Sequence, residues 1–360
     1  MNTNRRCIKI GPFSVGPIHP AFIIAEAGVN HDGDMEKARR LIDAAKASGA
    51  NAIKFQSFVA ERVIRRNAPK AKYQDRNIGT EISQFDMLKK LELSKDQAKM
   101  LKHYADSSDI PFVSTAYDLI AVDELEEIGV CAHKLASIEV VNHPLIRKVA
   151  RTGKPVILSV GMADENEVAS AVIAFHHEAG LSATSPNNLI LLQCNTNYPA
   201  NPEDQHLRAM ESLRKYVPVV GFSDHTEGSV VGIAAVALGA NVIERHFTLN
   251  KKDPGPDHKA SMEPHEFKEF VNSARIVEKA LGTPEIRPRG GELENIMEMR
   301  RSICAAADIP EGAAIIAEML TAKRPGDGLC ATDSNLQKII GRKTKRYIKT
   351  DENINFSDVD

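Results

Sequence analysis

Short apolar runs alternate with segments of helical period through most of the chain. The runs cover residues 22–27 (FIIAEA), 52–56 (AIKFQ), 111–115 (PFVST), 132–137 (AHKLAS), 155–160 (PVILSV), 189–194 (LILLQC), 218–222 (PVVGF) and 242–247 (VIERHF). Each is rich in Ile, Val, Leu or Phe and is bounded by turn residues, which is how strands covered on both faces read. Between them lie amphipathic stretches such as 35–48 (MEKARRLIDAAKAS) and 165–179 (ENEVASAVIAFHHEA). Two such stretches run into Gly49-Ala50 and Gly239-Ala240, and glycine suits the turn that ends a helix before the next strand. Eight strands alternating with eight helical segments over about 260 residues predict an α/β fold of the (β/α)8 TIM-barrel type. A doubly wound sheet would need a GxGxxG turn, and the chain has none.

Two stretches break the alternation. The gap from residue 57 to about residue 90 is long and carries Arg62, Arg65, Arg66, Lys70, Lys72 and Arg76. It reads either as a solvated loop with an extra helix or as a lid, because loops after barrel strands surround the catalytic mouth. After Gly282 the segment TPEIRPRGG is rich in Pro and Gly and reads as a linker. The expected domains are a barrel over 1–282, a linker over 283–297 and a small unit over 298–360. That unit holds a weak internal echo, DIPEGAAIIAEML at 308–320 and IKTDENINFSDV at 348–359, read as two β-turn-β pieces packed together.

Composition removes several function classes. A formal net charge of -2 gives no field that would draw the protein to nucleic acid or membrane. The absence of Trp argues against base-stacking platforms. Five scattered cysteines with no CxxC pair suggest neither a disulfide framework nor a thiolate zinc site. No apolar signal core or membrane-length apolar run occurs, so the expected location is the cytoplasm.

Candidate chemistry comes from where the polar residues fall. Catalytic groups of barrels stand at the C-terminal ends of the strands. Here those ends carry Glu26, Lys54 with Gln56, Thr115, Lys134 with Ser137, Ser159, Cys194, Ser223-Asp224-His225, and Glu244 with His246. An unpaired buried lysine is costly, so Lys54 and Lys134 imply an anionic ligand, a Schiff base or a structural ion pair. His225 and His246 end neighbouring strands and could share a divalent ion such as Mn²⁺, Fe²⁺, Co²⁺ or Zn²⁺. Glu26 could be a third ligand, a base or an acceptor for a sugar hydroxyl. Ser137, Ser159, Asn195, Thr196, Asn197 and Ser223 add neutral donors, which together with lysines suit phosphate.

Seven segments carry a resemblance in order along the chain: IIAEAGVNHDG (23–33), IKFQ (53–56), HKLAS (133–137), LLQCNTNYP (191–199), GFSDHT (221–226), VIERHFTL with GPDH (242–258) and AKRPGDG (322–328). Through them the chain resembles the sialic acid synthase family, which includes legionaminic and pseudaminic acid synthases. The resemblance implies a barrel followed by a small antifreeze-like SAF domain. It implies condensation of phosphoenolpyruvate with an N-acylated amino-hexose of the N-acetylmannosamine type, giving N-acetylneuraminate or a close analogue plus phosphate. Legionaminate or pseudaminate formation from a diacetamido-trideoxyhexose is the alternative, and a non-catalytic carbohydrate-binding protein is the alternative of another class.

Residue roles follow from the same resemblance. His225 and His246 would hold a divalent metal, Mn²⁺ foremost, with Mg²⁺ or Co²⁺ as substitutes. Lys54, Thr115 and Lys134 would hold the carboxylate side of phosphoenolpyruvate, and Ser137, Ser159 and Ser223 its phosphate. Gln56, Tyr198 and Asp257 would contact the sugar, with Arg324 reaching it from the small domain of the partner in a domain-swapped homodimer. Glu139 would stand near the attacking water, and Glu26 joins the catalytic set. Two positions depart from the family pattern: Ile138 where Gly is frequent, and Thr196 where some members have Asn.

Overall fold

The computed structural model describes residues 7–79, 81–180 and 188–360. The side chain of Arg76, one of the cations in the long gap, lies outside the described set. The chain divides into two compact units at Gly282–Thr283.

The first unit opens with an antiparallel hairpin, β1 (Ile8–Ile10) and β2 (Phe13–Val15). Eight parallel strands follow and close into a barrel: β3 (Phe22–Gly28), β4 (Ala52–Ser57), β5 (Phe112–Ala116), β6 (His133–Leu135), β7 (Val156–Ser159), β8 (Leu189–Cys194), β9 (Val220–Asp224) and β10 (Val242–His246). Closure is made by β10 against β3, with Val242 opposite Phe22 and His246 opposite Glu26. Alternate strand residues point inward. Phe22, Ile24, Ala52, Val113, Ile157, Ile190, Leu192 and Val242 form one apolar cluster with Ile8, Ile10 and Val15 of the hairpin. The opposite strand faces pack on the helices in the largest core, which includes Ile23, Phe55, Leu158, Phe222, Ile243 and Phe247. The apolar runs are continuous because both strand faces are covered.

The surrounding helices begin with α1 (Met35–Ala47), capped by the Asp34 carboxylate, which accepts from the backbone N–H of Glu36 and Lys37. The long gap after β4 folds as three helices: α2 (Ala60–Val63), α3 (Lys72–Ile78) and α4 (Gln84–Leu91). Val63, Met87, Leu88 and Leu91 of these helices and Ile82 just before α4 pack with Val29, Phe58 and Tyr117. The remaining helices of this unit are α5 (Lys95–Ser107), α6 (Leu119–Ile128), α7 (His143–Ala150), α8 (Glu165–Glu178), α9 (Ala209–Leu213), α10 (Val230–Ala237) and α11 (Pro264–Leu281). Among the described residues no helix is long and apolar enough to cross a membrane.

Two expected strands moved most. The run at 218–222 becomes strand only from Val220, since Pro218 has no N–H for a ladder. The strand expected at 132–137 stops at Leu135, and Ser137–Glu139 form a 3-10 turn that redirects Ser137.

The second unit has its own core of Ile303, Ala305, Ile309, Ile315, Ile339, Ile348, Ile354 and Val359. The stretch expected as linker includes a helix, α12 (Glu292–Met299). β11 (Ser302–Ala305) pairs with β12 (Leu320–Lys323), and α13 (Asp333–Ile339) follows. The two echoing segments are not separate β-turn-β pieces. They meet through single bridges such as Ile309 with Ile348, and the only regular strand in either is β12, which begins at the last residue of the first. The 3-10 turns Ala317–Met319 and Phe356–Asp358 take up part of the rest.

Candidate active site

The C-terminal strand ends of the barrel open into a cavity of about 510 Å³. Its lining includes Glu26, Lys54, Gln56, Thr115, Lys134, Ser137, Ser159, Tyr198, Ser223, His225, His246 and Asp257. Strand register explains the convergence: Glu26 stands opposite Lys54, Gln56 opposite Thr115, Thr115 opposite Lys134, and His246 opposite Glu26. Two predicted site residues lie elsewhere. Glu139 is buried, accepts from Asn142 Nδ2 at 2.6 Å and does not line this cavity. Arg324 is exposed in the second unit.

The floor is charged. Lys54 and Lys134 are each 2% exposed. Lys54 Nζ lies 2.6 Å from Glu26 Oε2 and donates to Thr115 Oγ1 at 3.0 Å. Lys134 Nζ donates to Ser159 Oγ at 2.8 Å and to the Leu135 carbonyl at 2.9 Å. Between the lysines stands Glu244, a strand-end residue for which the sequence alone implies no role. Its Oε1 is 3.8 Å from each ammonium and accepts from Ser223 Oγ at 3.1 Å. Strand alternation was the signal that could have assigned it, since Glu244 shares a face with His246 two residues on.

Burial pulls these groups in different directions. Burial pushes the Glu26 carboxyl up to about 7, outweighing the pull of Lys54 and Gln56. Burial also raises Glu244, but Lys134 and Lys54 outweigh it and hold the carboxylate below its usual range. Lys134 is lowered, chiefly by burial. Asp257 is raised to about 6, again by burial.

The two histidines form an aromatic corner. The His225 and His246 rings are 5.3 Å apart, and Tyr198 lies 4.1 Å from the first and 5.4 Å from the second. His225 Nδ1 is 2.5 Å from the Asn195 carbonyl, so Nδ1 carries a proton and Nε2 is the ring nitrogen left for a ligand; burial lowers the His225 pKa, but Cys194 and the Asn195 carbonyl outweigh it and raise it. His246 Nδ1 is buried without a hydrogen-bond partner, 3.9 Å from Asp257 Oδ2. Burial, followed by the charges of His225 and Lys54, holds His246 well below its usual pKa. A neutral imidazole with an unsatisfied nitrogen beside a second available imidazole fits a divalent cation.

A second cluster, Asp32, Asp253 and His258, also has metal-ligand geometry. There the ammonium of Lys37 lies 2.5 Å from a carboxylate oxygen of each aspartate, and His258 Nε2 is 3.1 Å from Asp32. The cation of that cluster is the lysine, and the cluster ties the loop after β3 to the loop after β10.

The outer wall has a different chemistry. Phe58, Val63, Ile64, Ala71, Leu88, Ile138 and Met162 line the cavity from the long helical segment and from the turns after β6 and β7. Tyr73 of α3 packs on Tyr198 with ring centres 4.9 Å apart. Both positions that depart from the family pattern, Ile138 and Thr196, are on the lining.

Known proteins share this architecture. A Legionella pneumophila N,N'-diacetyllegionaminic acid synthase is 42% identical, with 95% of each chain covered. A human N-acetylneuraminate-9-phosphate synthase is 35% identical over 94% of this chain and 93% of its own. The crystal structure of N-acetylneuraminic acid synthetase from Leptospira borgpetersenii serovar Hardjo-bovis, in complex with citrate, superposes with a TM-score of 0.70 at 35% identity, covering 81% of this chain and 95% of that one. Residues 41–285 match the NeuB family and residues 300–360 match the SAF domain. With its closed barrel, its strand-end lysines and histidines and its separate C-terminal unit, this chain belongs to the NeuB family.

Proposed function

We propose that the protein condenses phosphoenolpyruvate with an N-acylated amino-aldose, forming a nonulosonic acid and releasing phosphate. The observation that carries this reading is the pair of buried lysines facing one cavity floor with hydroxyl donors around them. The two ammonium groups share Glu244 as counter-charge and Glu26 is raised to about 7, so the floor keeps positive charge for a small substrate that carries both a carboxylate and a phosphate. Lys54, Thr115 and Lys134 would bind the carboxylate side, and Ser137, Ser159 and Ser223 the phosphate side. Gln56, Tyr198 and Asp257 would orient the aldose.

In the reaction carbon 3 of phosphoenolpyruvate bonds to the aldehyde carbon, water adds at carbon 2, and the carbon 2–oxygen bond to phosphate breaks as the new hydroxyl becomes a ketone, its proton leaving with the phosphate. Glu26, poised near neutrality, can hold a proton at its carboxyl and pass it to the aldehyde oxygen. Glu139, raised by burial, follows the lining residues Ser137 and Ile138 in the same 3-10 turn and would take the proton of the adding water. His225 and His246 would hold the divalent ion, Mn²⁺ foremost, with Mg²⁺ or Co²⁺ as substitutes; when bound it supplies Lewis-acid polarisation of the aldehyde. The lysines serve charge already on the substrate, so they act on binding more than on the chemical step.

The apolar outer wall supports a second reading of the aldose. Methyl and acetamido groups suit Phe58, Val63, Ile64, Leu88, Ile138 and Met162 better than free hydroxyls do. That favours a diacetamido-trideoxyhexose, and hence a legionaminate-type product, over N-acetylmannosamine. The functional form would be a two-fold dimer in which Arg324 of each chain reaches its partner's sugar. This reading is supported by the exposure of Arg324 and its lack of a hydrogen-bond partner among the described residues. Five free cysteines suit a cytoplasmic reaction. The test is phosphate release from phosphoenolpyruvate with each aldose in parallel, with and without Mn²⁺, and mass analysis of the product. No release with any N-acylated aldose in the presence of Mn²⁺ defeats the reading.

A further inference from the structure

Behind the two histidines lies a buried ionic network that the proposed chemistry does not use. Side chains alternate on β9 and β10: Ser223, Glu244 and the residues His225 and His246 line the cavity, while Asp224 and Arg245 turn away from it. Arg245 and Asp224 are in-register partners across the two strands, and their side chains form an ion pair. Arg245 Nη2 also donates to the Thr226 carbonyl at 2.7 Å. Asp224 Oδ1 accepts from the Thr226 backbone N–H at 2.9 Å and from its hydroxyl at 2.8 Å. None of the three residues is more than 1% exposed. The network therefore holds the residues on both sides of His225 and the residue before His246.

Space has been left for it. A Cβ on Gly232 of α10 would come within 2.9 Å of both Asp224 Oδ2 and a ring carbon of Phe270. The layer it occupies is otherwise apolar, with Phe222, Ile243, Phe247 and Phe270 in the same core. A buried ion pair is a poor stabiliser, because desolvation offsets the attraction and a matched apolar pair is often as stable. Directional bonds give something an apolar pair cannot, namely a fixed offset between two strand ends.

We infer that the Asp224–Thr226–Arg245 network is a positioning device that sets the spacing of His225 and His246 for a divalent cation. The inference rests on the reading of those histidines as metal ligands. Its test is the Mn²⁺ dissociation constant of the full-length protein, read from the free-ion electron paramagnetic resonance signal, alongside thermal melting. Two variants are used: the matched pair Asp224→Leu with Arg245→Met, and the single change Arg245→Lys. The expected result is folded protein with Mn²⁺ binding weakened about 10- to 100-fold, and turnover recovered at saturating Mn²⁺. Wild-type Mn²⁺ affinity in a folded variant overturns the inference. So does failure of both variants to fold, because the network would then be serving stability. A separate control isolates the underlying reading: if His246→Ala binds Mn²⁺ as tightly as the wild type, the metal site itself is misassigned and the inference falls with it.

Discussion

Replacing Lys134 with Met removes one buried ammonium while keeping most of the side-chain volume. Its Nζ donates to Ser159 Oγ and the Leu135 carbonyl, and an ammonium has three N–H donors, so one remains for a ligand. A hydrogen bond to a charged partner is worth roughly 1.5–3 kcal/mol, which is about 10- to 150-fold in affinity. The change also leaves Glu244 with Lys54 as its remaining ammonium neighbour, at 3.8 Å, which repels an incoming anion further. The KM for phosphoenolpyruvate should rise by one to two orders of magnitude, with the aldose KM little changed. Thermal melting gives a readout that needs no turnover. Ligand at a hundred times its dissociation constant stabilises by about 2.7 kcal/mol, and a hundredfold weaker dissociation constant cuts that to about 0.4 kcal/mol at the same concentration. The reasoning is refuted if the aldose KM moves instead, or if borohydride with substrate traps a covalent adduct on Lys134.

Two further outcomes follow. Burial lowers the His31 pKa to about 4, so from pH 6.5 down to pH 4 the unfolded chain binds the proton and the folded one does not; stability falls with pH by about 3 kcal/mol over that window. Urea unfolding of wild type and His31→Asn across this range should give converging curves, and parallel curves would remove His31 as the cause. Mixing Arg324→Ala chains with His246→Ala chains, each inactive alone, should restore activity through one wild-type barrel served by one wild-type arginine; no recovery in a verified mixed dimer rejects the shared site.

Much of this protein was set by residue pattern alone. The eight apolar runs located all eight barrel strands to within about two residues at nearly every end, because strands covered on both faces leave no polar alternation to blur them. The same economy exposed the candidate chemistry: Lys54, Lys134, His225 and His246 stand out because a buried strand end has few other reasons to carry charge. What the sequence could not decide was anything made by distant segments meeting. Closure of β10 on β3 brings Glu244, from the last barrel strand, up to Lys54, which pairs with Glu26 of the neighbouring first strand. That meeting makes Glu244 the counter-charge of two lysines and adds its repulsion to the burial that lifts Glu26 to about 7. The gap after β4 looked the same as lid or as solvated loop, since helical period says nothing about what a helix covers. Packing of Phe58, Met87 and Leu91 against Val29 turned it into a wall of the cavity. Local pattern fixes which residues face inward, whereas pKa, charge balance and cavity shape depend on which inward faces meet in three dimensions.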